Sequence, residues 1–236
     1  MPIFINKILK TLLVLLVPII LVLGSARLLA TDTYLAFEYG KTSFPPDSYG
    51  FTPQQRFILA STNIHYVRAH LPGNELSKQT LNGAPVYNER EVSHMVDVQS
   101  VFQVILRVSQ AAFSLFLLLG FIFWQSGEYK LFASAIQSGG LLTSGIILTI
   151  ALMAIFAWQT WFDLFHRFFF VPGSWLFSYS DTLIRLFPVN FWFDATLTIS
   201  VLSLIGGLIM ALIGWQWRIA IEKPRRTYNY NLPFEY

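Results

Sequence analysis

The chain has 236 residues, of which 54% are hydrophobic and 17% aromatic, while only 12% are charged. A soluble domain of this length would carry roughly twice that charged fraction, so the composition excludes an ordinary soluble protein and indicates an integral membrane protein. The net charge of +3 does not indicate a nucleic-acid partner, because the basic residues flank apolar segments. The absence of cysteine excludes disulfides, thiolate zinc sites and a cysteine nucleophile.

Four apolar segments are long enough to cross a bilayer as helices, which takes about 20 residues. The first also resembles a secretory signal, but its apolar part is longer than the core of a typical signal, and this predicts a retained anchor. We therefore expect an all-α integral membrane protein with four transmembrane helices, forming a single membrane domain over 1–236. The predicted spans are 8–29, 98–124, 132–158 and 191–217.

Lysine and arginine residues beside the spans predict the orientation, because such residues concentrate on the cytoplasmic side. They precede the first span, lie in the link after the second and follow the fourth. Both termini, with the tail 218–236, are therefore predicted to be cytoplasmic, and segments 31–97 and 159–190 to lie together on the outer side. The residues used are Lys7, Lys10, Lys130, Arg218, Lys223, Arg225 and Arg226.

The outer segments carry signals of ordered structure. Thr52 and Gln55 form a capping-box pattern with Pro53 at the first helical position. Asn82-Gly83, between short apolar stretches, is typical of a hairpin turn. These signals predict an extracytoplasmic cap that contains a helix and a short hairpin. The later stretch SDTLIRLFP is predicted to be a short amphipathic helix on the membrane surface.

A titratable cluster stands directly before the second span, in the sequence NEREVSHMVDV. Asn88 and Glu91 form a second capping-box pattern, so Glu91 is expected to cap the helix. From that start, the helical period of 3.6 residues places Arg90, His94 and Asp97 on one face. Asp97 would then accept a hydrogen bond from one imidazole nitrogen and leave the other free to take a proton. A solvated helix end with an ion pair is the alternative interpretation.

A second cluster lies in the outer segment WQTWFDLFHRFFFVPGSWLF. Asp163 and His166 are three residues apart, so a helix would place them on one face, with Arg167 beside them. A histidine among so many aromatic residues is also compatible with simple packing at the membrane interface. The topology favours a joint site, because it places both His/Asp pairs at the outer end of one helix bundle. Trp175 and the nearby phenylalanines are expected to form an interfacial belt.

Other candidates carry weaker signals. Arg107 lies inside the second span, where a charge usually faces the bundle interior or a polar cavity, or extends outward to a lipid phosphate. Ser174 invites a serine-hydrolase interpretation, but no G-x-S-x-G motif surrounds it. No H-E-x-x-H spacing supports a metal site, and we predict neither a metal nor a cofactor. His65 and His70 are expected to be structural or solvent-facing.

The segments EREVSHMVDV and WFDLFHRFFFVPGSWLF…DTLIRLFP resemble motifs of a bacterial four-span membrane family, the lipoprotein intramolecular transacylases. The resemblance covers nearly the whole chain, including the order of spans and loops. In that family the two motif histidines are the essential catalytic pair, and they match His94 and His166. The resemblance implies an enzyme of the bacterial cytoplasmic membrane with an outward-facing active site, acting on diacylglyceryl-modified lipoproteins among membrane lipids.

The implied reaction moves the sn-2 acyl chain of the diacylglyceryl-cysteine to the α-amino group of the same cysteine. Because donor and acceptor share one molecule, positioning can replace a covalent acyl-enzyme. An α-amine titrates near pH 8, which suits a base near neutrality. We expect His94, oriented by Asp97, to be that base, and His166 to polarise the ester carbonyl or protonate the leaving oxygen, although the sequence allows the reverse. Supporting roles are expected for Arg90, Glu91 and Asp163, and lipid or substrate contacts for Arg107, Arg167, Ser174 and Trp175.

Two other functional classes are compatible with the residues alone. A membrane-embedded serine-type lipid esterase or protease would use Ser174 together with a histidine. A non-enzymatic scaffold or transporter should carry polar residues along several spans, whereas here they cluster at one end of the bundle.

Overall fold

Residues 2–222, which the computed structural model describes, form nine helices and one small hairpin. In chain order they are α1 (Ile3–Leu29), α2 (Asp32–Tyr39), α3 (Pro53–Ala69), α4 (Asn74–Ser77), β1 (Thr80–Leu81), β2 (Ala84–Pro85), α5 (Glu89–Gln125), α6 (Tyr129–Phe156), α7 (Trp158–Phe169), α8 (Thr182–Leu186) and α9 (Val189–Glu222).

Helices α1, α5, α6 and α9 are long and apolar enough to cross a membrane, with 27, 37, 28 and 34 residues. The predicted class, an all-α protein with four membrane-spanning helices, is confirmed. The third predicted segment, 132–158, runs two residues too far, because α6 ends at Phe156 and Ala157 leaves the helical conformation with φ −143° and ψ 48°. The chain restarts as α7 at Trp158, a change that hydropathy alone does not mark.

The tightest contact inside the bundle is between α6 and α9, where two glycines face each other. A Cβ atom added to Gly140 would lie 2.3 Å from the carbonyl oxygen of Gly207 and 2.6 Å from the backbone nitrogen of Ala211. On the neighbouring face of α6, a Cβ atom at Gly139 would lie 2.7 Å from the Val17 side chain of α1. Small residues allow this approach, which in a membrane supplies the van der Waals contact that holds helices together.

The outer segments share an apolar core of their own. Thr52 and Gln55 form the predicted capping box at the start of α3. The hairpin turns at Asn82 and Gly83, which both have positive φ, 54° and 81°, as a type I′ turn requires. The core is formed by side chains from α2, α3, α4, α8 and the start of α9, among them Leu35, Ala60, Tyr66, Leu76, Leu186 and Phe191.

Helix α8 corrects one prediction. The stretch does form a short helix, but Thr182, Leu183 and Leu186 are buried in the cap core, so it does not lie on the membrane surface. Arg185 ties the helix down through two hydrogen bonds to the carboxylate of Asp47, at 2.9 and 3.0 Å. Although burial acts in the opposite direction, the hydrogen bonds from Arg185 and the backbone lower the pKa of Asp47 to about 2.

The far end of the bundle joins α6 to α9 through polar contacts. Lys130 forms an ion pair with Glu222 at 2.6 Å, and Arg218 donates to Gln137 at 2.8 Å. Of the predicted tail 218–236, residues 218–222 form the end of α9, and the rest lies outside the described residues. The same is true of three residues used to predict the orientation, namely Lys223, Arg225 and Arg226.

Candidate active site

Helix α5 begins at the cap with a rigid first turn. The side chains of Asn88 and Glu91 form the predicted capping box. The Glu91 carboxylate, only 1% exposed, accepts from the backbone N–H of Asn88 at 2.9 Å and from that of Leu183 at 2.7 Å. One carboxylate therefore fixes the start of α5 against α8, and the next turn of α5 carries His94.

The His94 imidazole lies among aromatic rings. Its centre is 5.0 Å from that of Phe170 and 5.4 Å from that of Phe177. Its Nδ1 atom is buried without a hydrogen-bond partner. A buried polar atom without a partner is costly, so this nitrogen has capacity for a bound molecule.

Asp97 does not orient His94. Within residues 2–222 no hydrogen bond joins the Asp97 carboxylate to either ring nitrogen, contrary to the prediction. The two residues do follow each other along one face of α5, but the imidazole packs against Phe170 and Phe177, which come from a different part of the chain. Side-chain spacing on a helix could not reveal those partners.

Arg90 binds the segment after α7, which carries Phe177. Its guanidinium donates to the carbonyl oxygen of Leu176 and lies over the Phe177 ring, 5.6 Å from its centre. Arg90 thus holds the segment after α7 against α5, and the predicted alignment of Arg90, His94 and Asp97 does not amount to a hydrogen-bonded trio.

His166 comes from the last turns of α7. Its Nδ1–H donates to the Phe162 carbonyl at 2.8 Å, so the neutral ring presents the lone pair of Nε2. Burial lowers the pKa of His166, against smaller opposing effects of the Phe162 carbonyl and the Asp163 carboxylate. Aromatic rings enclose the imidazole at centre-to-centre distances of 4.0 to 5.6 Å, from Phe162, Phe165, Phe170 and Trp175.

Asp163 and Arg167 pair with each other. Arg167 Nε lies 2.7 Å from the Asp163 carboxylate, and both side chains are exposed. Asp163, His166 and Arg167 all lie on one helix, α7, as predicted, and Asp163 influences His166 through its charge. A cleft of about 400 Å³ opens beside this pair, lined by Gln159, Thr160, Phe162, Asp163, Leu164, Arg167, Trp175 and Leu176.

Phe170 brings the two histidines together. The centre of its ring lies 5.0 Å from that of His94 and 5.6 Å from that of His166. The motif histidines, one from α5 and one from α7, thus share one aromatic neighbour. Sequence reasoning assigned the phenylalanine run to an interfacial belt and missed this residue, since three consecutive phenylalanines give no sign of which one turns inward.

Ser174 lacks the surroundings of a nucleophile. Its Oγ is buried and has no hydrogen-bond partner, so in the described residues no histidine activates it. Its neighbour Trp175 is buried against His166, which corrects its assignment to an interfacial belt. The serine-esterase alternative therefore has no geometric support.

The remaining candidates lie away from the site. Arg107 is exposed on the outside of α5 and donates to the carbonyl of Gln103 in the preceding turn at 3.2 Å, so it does not face the bundle interior. His65 and His70 are exposed on the cap, and His70 ends α3 with a positive φ of 54°. In the part of the chain that the structure describes, no group of three or more His, Asp or Glu side chains is placed to hold a metal ion.

A second polar cluster links the cap to α9. The Lys41 ammonium contacts the carboxylates of Glu38 at 2.7 Å and Asp194 at 2.9 Å. Glu38 is fully buried. Sequence reasoning did not single out these residues, and the only available signal was the presence of Asp194 early in an otherwise apolar span.

Comparison with known proteins identifies the family. The model of a family described as lipoprotein intramolecular transacylase Lit matches residues 11–192. The chain belongs to this family. It is also 32% identical over 212 residues to an uncharacterized protein of Aquifex aeolicus strain VF5, covering 89% of this chain and 94% of the relative.

The same fold occurs in solved structures. The membrane integral lipoprotein intramolecular transacylase Lit from Bacillus cereus superposes with a TM-score of 0.73 at 16% identity, covering 92% of this chain and 97% of that one. A structure of that protein with one histidine replaced by arginine gives a TM-score of 0.60, also at 16% identity, with coverage of 92% and 94%. The chain is therefore a multi-pass membrane protein of an acyltransferase family, which favours an enzyme over a scaffold or transporter.

Proposed function

We propose that this enzyme transfers the sn-2 acyl chain of a diacylglyceryl-cysteine to the α-amino group of the same cysteine, with His166 and His94 acting on the reacting atoms. The observation that carries the proposal is that both imidazoles lie next to one ring, that of Phe170. The site lies where α5 leaves the cap and enters the apolar bundle. Lipid esters lie at this depth, in the polar interfacial layer beside the hydrocarbon core.

His166 is the better general base. Its Nδ1–H is held by the Phe162 carbonyl, which fixes both the tautomer and the direction of the ring. The free Nε2 then accepts a proton from the attacking amine. Burial keeps this imidazole neutral near pH 7, as a base requires. This assignment reverses the roles expected from the sequence, in which His94 was the base.

His94 then stabilises the carbonyl oxygen. With no carboxylate bonded to it, the ring lacks the partner that would favour its charged form. As a neutral ring it donates one N–H to the oxygen that gains negative charge when the amine attacks. Donors aimed at a developing oxyanion in an enclosed site are among the most effective catalytic devices.

His94 and His166 are sufficient to account for the proton that moves in this reaction. The amine nitrogen bonds to the carbonyl carbon and gives one proton to Nε2 of His166. The bond between the carbonyl carbon and the sn-2 oxygen then breaks, and His166 returns the proton to that oxygen. The products are an amide and a free sn-2 hydroxyl, and both histidines recover their starting state.

No covalent acyl-enzyme is needed. The amine and the ester are joined through one cysteine, so a correct conformation already supplies a high effective concentration, which is worth about 7–11 kcal/mol in favourable intramolecular reactions. The absence of cysteine and the unpartnered Ser174 hydroxyl agree with direct transfer.

The substrate is a diacylglyceryl-modified lipoprotein held in the bacterial cytoplasmic membrane, with the site facing outward. Its lipid chains would lie among exposed apolar side chains that line the cleft at Asp163 and Arg167, namely Leu164 and Leu176. The cleft beside Asp163 and Arg167 is open to water and would take the polar part of the cysteine or the first peptide residues.

Turnover of a synthetic diacylglyceryl lipopeptide in bilayer vesicles tests this proposal. Mass spectrometry distinguishes the N-acyl lyso product from the starting material and from the hydrolysis product. We expect His166→Ala and His94→Ala to lose N-acylation, while Ser174→Ala retains it. N-acylation by both histidine variants at the wild-type rate would refute the mechanism.

A further inference from the structure

Phe170 is the last of the three consecutive phenylalanines 168–170 and has surroundings of its own. It is the residue that ends α7, and its backbone N–H donates to the His166 carbonyl at 2.8 Å. Its ring lies beside both imidazoles. Phe168, two residues earlier, is 82% exposed and contacts neither histidine. The chain therefore offers two phenylalanines in one short run with opposite surroundings.

We propose that Phe170 is a positioning residue that packs against both imidazoles and excludes water from the space beside them, so that the acyl group passes to the amine and not to water. This inference rests on the proposed function. The reason for a dedicated residue is chemical: a base and an oxyanion donor that activate an ester for an amine also activate it for water.

Acyl transfer and hydrolysis differ in the attacking nucleophile but share the cleavage of the ester. In transfer, the amine nitrogen bonds to the carbonyl carbon; in hydrolysis, a water oxygen does so and gives its proton to His166. Both break the bond to the sn-2 oxygen and leave the same sn-2 hydroxyl. They differ only in the acyl product, which is an amide in one case and a free fatty acid in the other.

The surroundings of the histidines favour the amine. Aromatic rings line both imidazoles, and Phe170 is the ring that they share. A flat apolar ring beside both the base and the oxyanion donor denies water a hydrogen-bonding position next to them. The tethered amine needs no such position, because its own covalent linkage brings it to the carbonyl.

The lipopeptide assay in water labelled with ¹⁸O tests this role. We expect Phe170→Ala to lower N-acylation on the order of 10²-fold, as a misplacement of about 1 Å can do, and to release fatty acid carrying the label. Phe170→Tyr retains the ring and should restore transfer without labelled acid. Phe170→Leu retains bulk without the flat face and should show both products. Phe168→Ala, the matched control, should behave as wild type.

Labelled acid from Phe170→Ala is the readout that a purely structural residue would not change. Wild-type N-acylation by this variant, or a loss of transfer with no labelled acid, would overturn the inference. If the alanine variant does not fold, Phe170→Leu decides by the same two products. His94→Ala and His166→Ala, measured alongside, separate the two proposals: if they stay active the mechanism fails, whereas if they are inactive and Phe170→Ala is normal, only the role of Phe170 fails.

Discussion

At the scale of single residues, the two histidines are expected to act as a unit. Removing either His94 or His166 should lower the transfer rate by about 10²–10⁴, the usual effect of losing an acid–base group. The double variant should be little worse than the worse single one, because groups that act together in one step are strongly non-additive. Rates on the lipopeptide, with folding checked for each variant, measure this directly.

The exposed cap histidines supply controls. His65→Ala should be close to wild type in rate and stability. His70→Ala should also retain the rate and change stability little, because His70 already carries a Cβ atom at its positive φ at the end of α3. Independent, additive losses at His94 and His166 would instead indicate two structural histidines.

The pH profile follows from the neutral forms of His166 and the substrate amine. Below about pH 8 the amine is increasingly protonated, so kcat/KM should fall about tenfold per pH unit. The profile should show a second break, where the slope steepens to about a hundredfold loss of kcat/KM per pH unit. This break should come as the pH drops through the pKa of His166, which burial places below the ordinary value of about 6.5.

Asp163→Asn tests the origin of that second break. The Asp163 carboxylate raises the pKa of His166, so its removal should lower that pKa and move the break to lower pH. Glu75→Gln, which removes an exposed carboxylate of α4, should leave the profile unchanged. A second break that Asp163→Asn leaves in place would contradict the assignment of His166 as the base.

At this scale the sequence predicted which two histidines come together but not the side chains that surround them. The motifs singled out His94 and His166, and the capping pattern predicted the role of Glu91. The expected contact of Asp97 with His94 was wrong, and Phe170 was missed. Helical spacing describes neighbours on one helix, whereas both histidines take their partners from a segment that folds back onto α5.

At the scale of helices, the contact between α6 and α9 should be sensitive to a single methyl group. In Gly140→Ala the new Cβ would meet backbone atoms of α9, which cannot rotate away. We expect a loss of about 1–3 kcal/mol, the usual effect of overpacking, visible as a lower thermal midpoint in detergent. Gly145 in the same helix has nothing within 4 Å, and Gly145→Ala should be neutral or stabilising by up to about 1 kcal/mol.

Hydropathy predicted the four long helices but not the short ones. Amphipathic pattern alone placed the 180–188 stretch on the membrane, whereas α8 buries its apolar side in the cap and is anchored by Asp47. Those contacts are distant in sequence. Membrane-facing and core-facing apolar residues look the same in a sequence, so only the folded cap could distinguish them.

At the scale of the whole molecule, the architecture places His94 and His166 at one end of the bundle. The cap fixes the start of α5 through Glu91, and α7 lies beside it with an exposed apolar side. A lipid-anchored substrate can therefore approach within the membrane plane while its peptide stays in water. The polar contacts at the other end, between α6 and α9, involve none of the proposed catalytic residues.

The orientation of this arrangement in the membrane is the last prediction. Basic residues beside the spans favour a cytoplasmic location for both termini, which places the cap and both histidines on the outer side. The chain has no cysteine, so single-cysteine variants report position without background. Ser48 is exposed in the cap, and Ser126 is exposed in the turn between α5 and α6. In right-side-out membrane vesicles, an impermeant maleimide should label Ser48→Cys at once and Ser126→Cys only after the vesicles are opened. The reverse pattern would place the site in the cytoplasm, where it could not meet lipoproteins displayed on the outer leaflet, and would refute both the orientation and the proposed reaction.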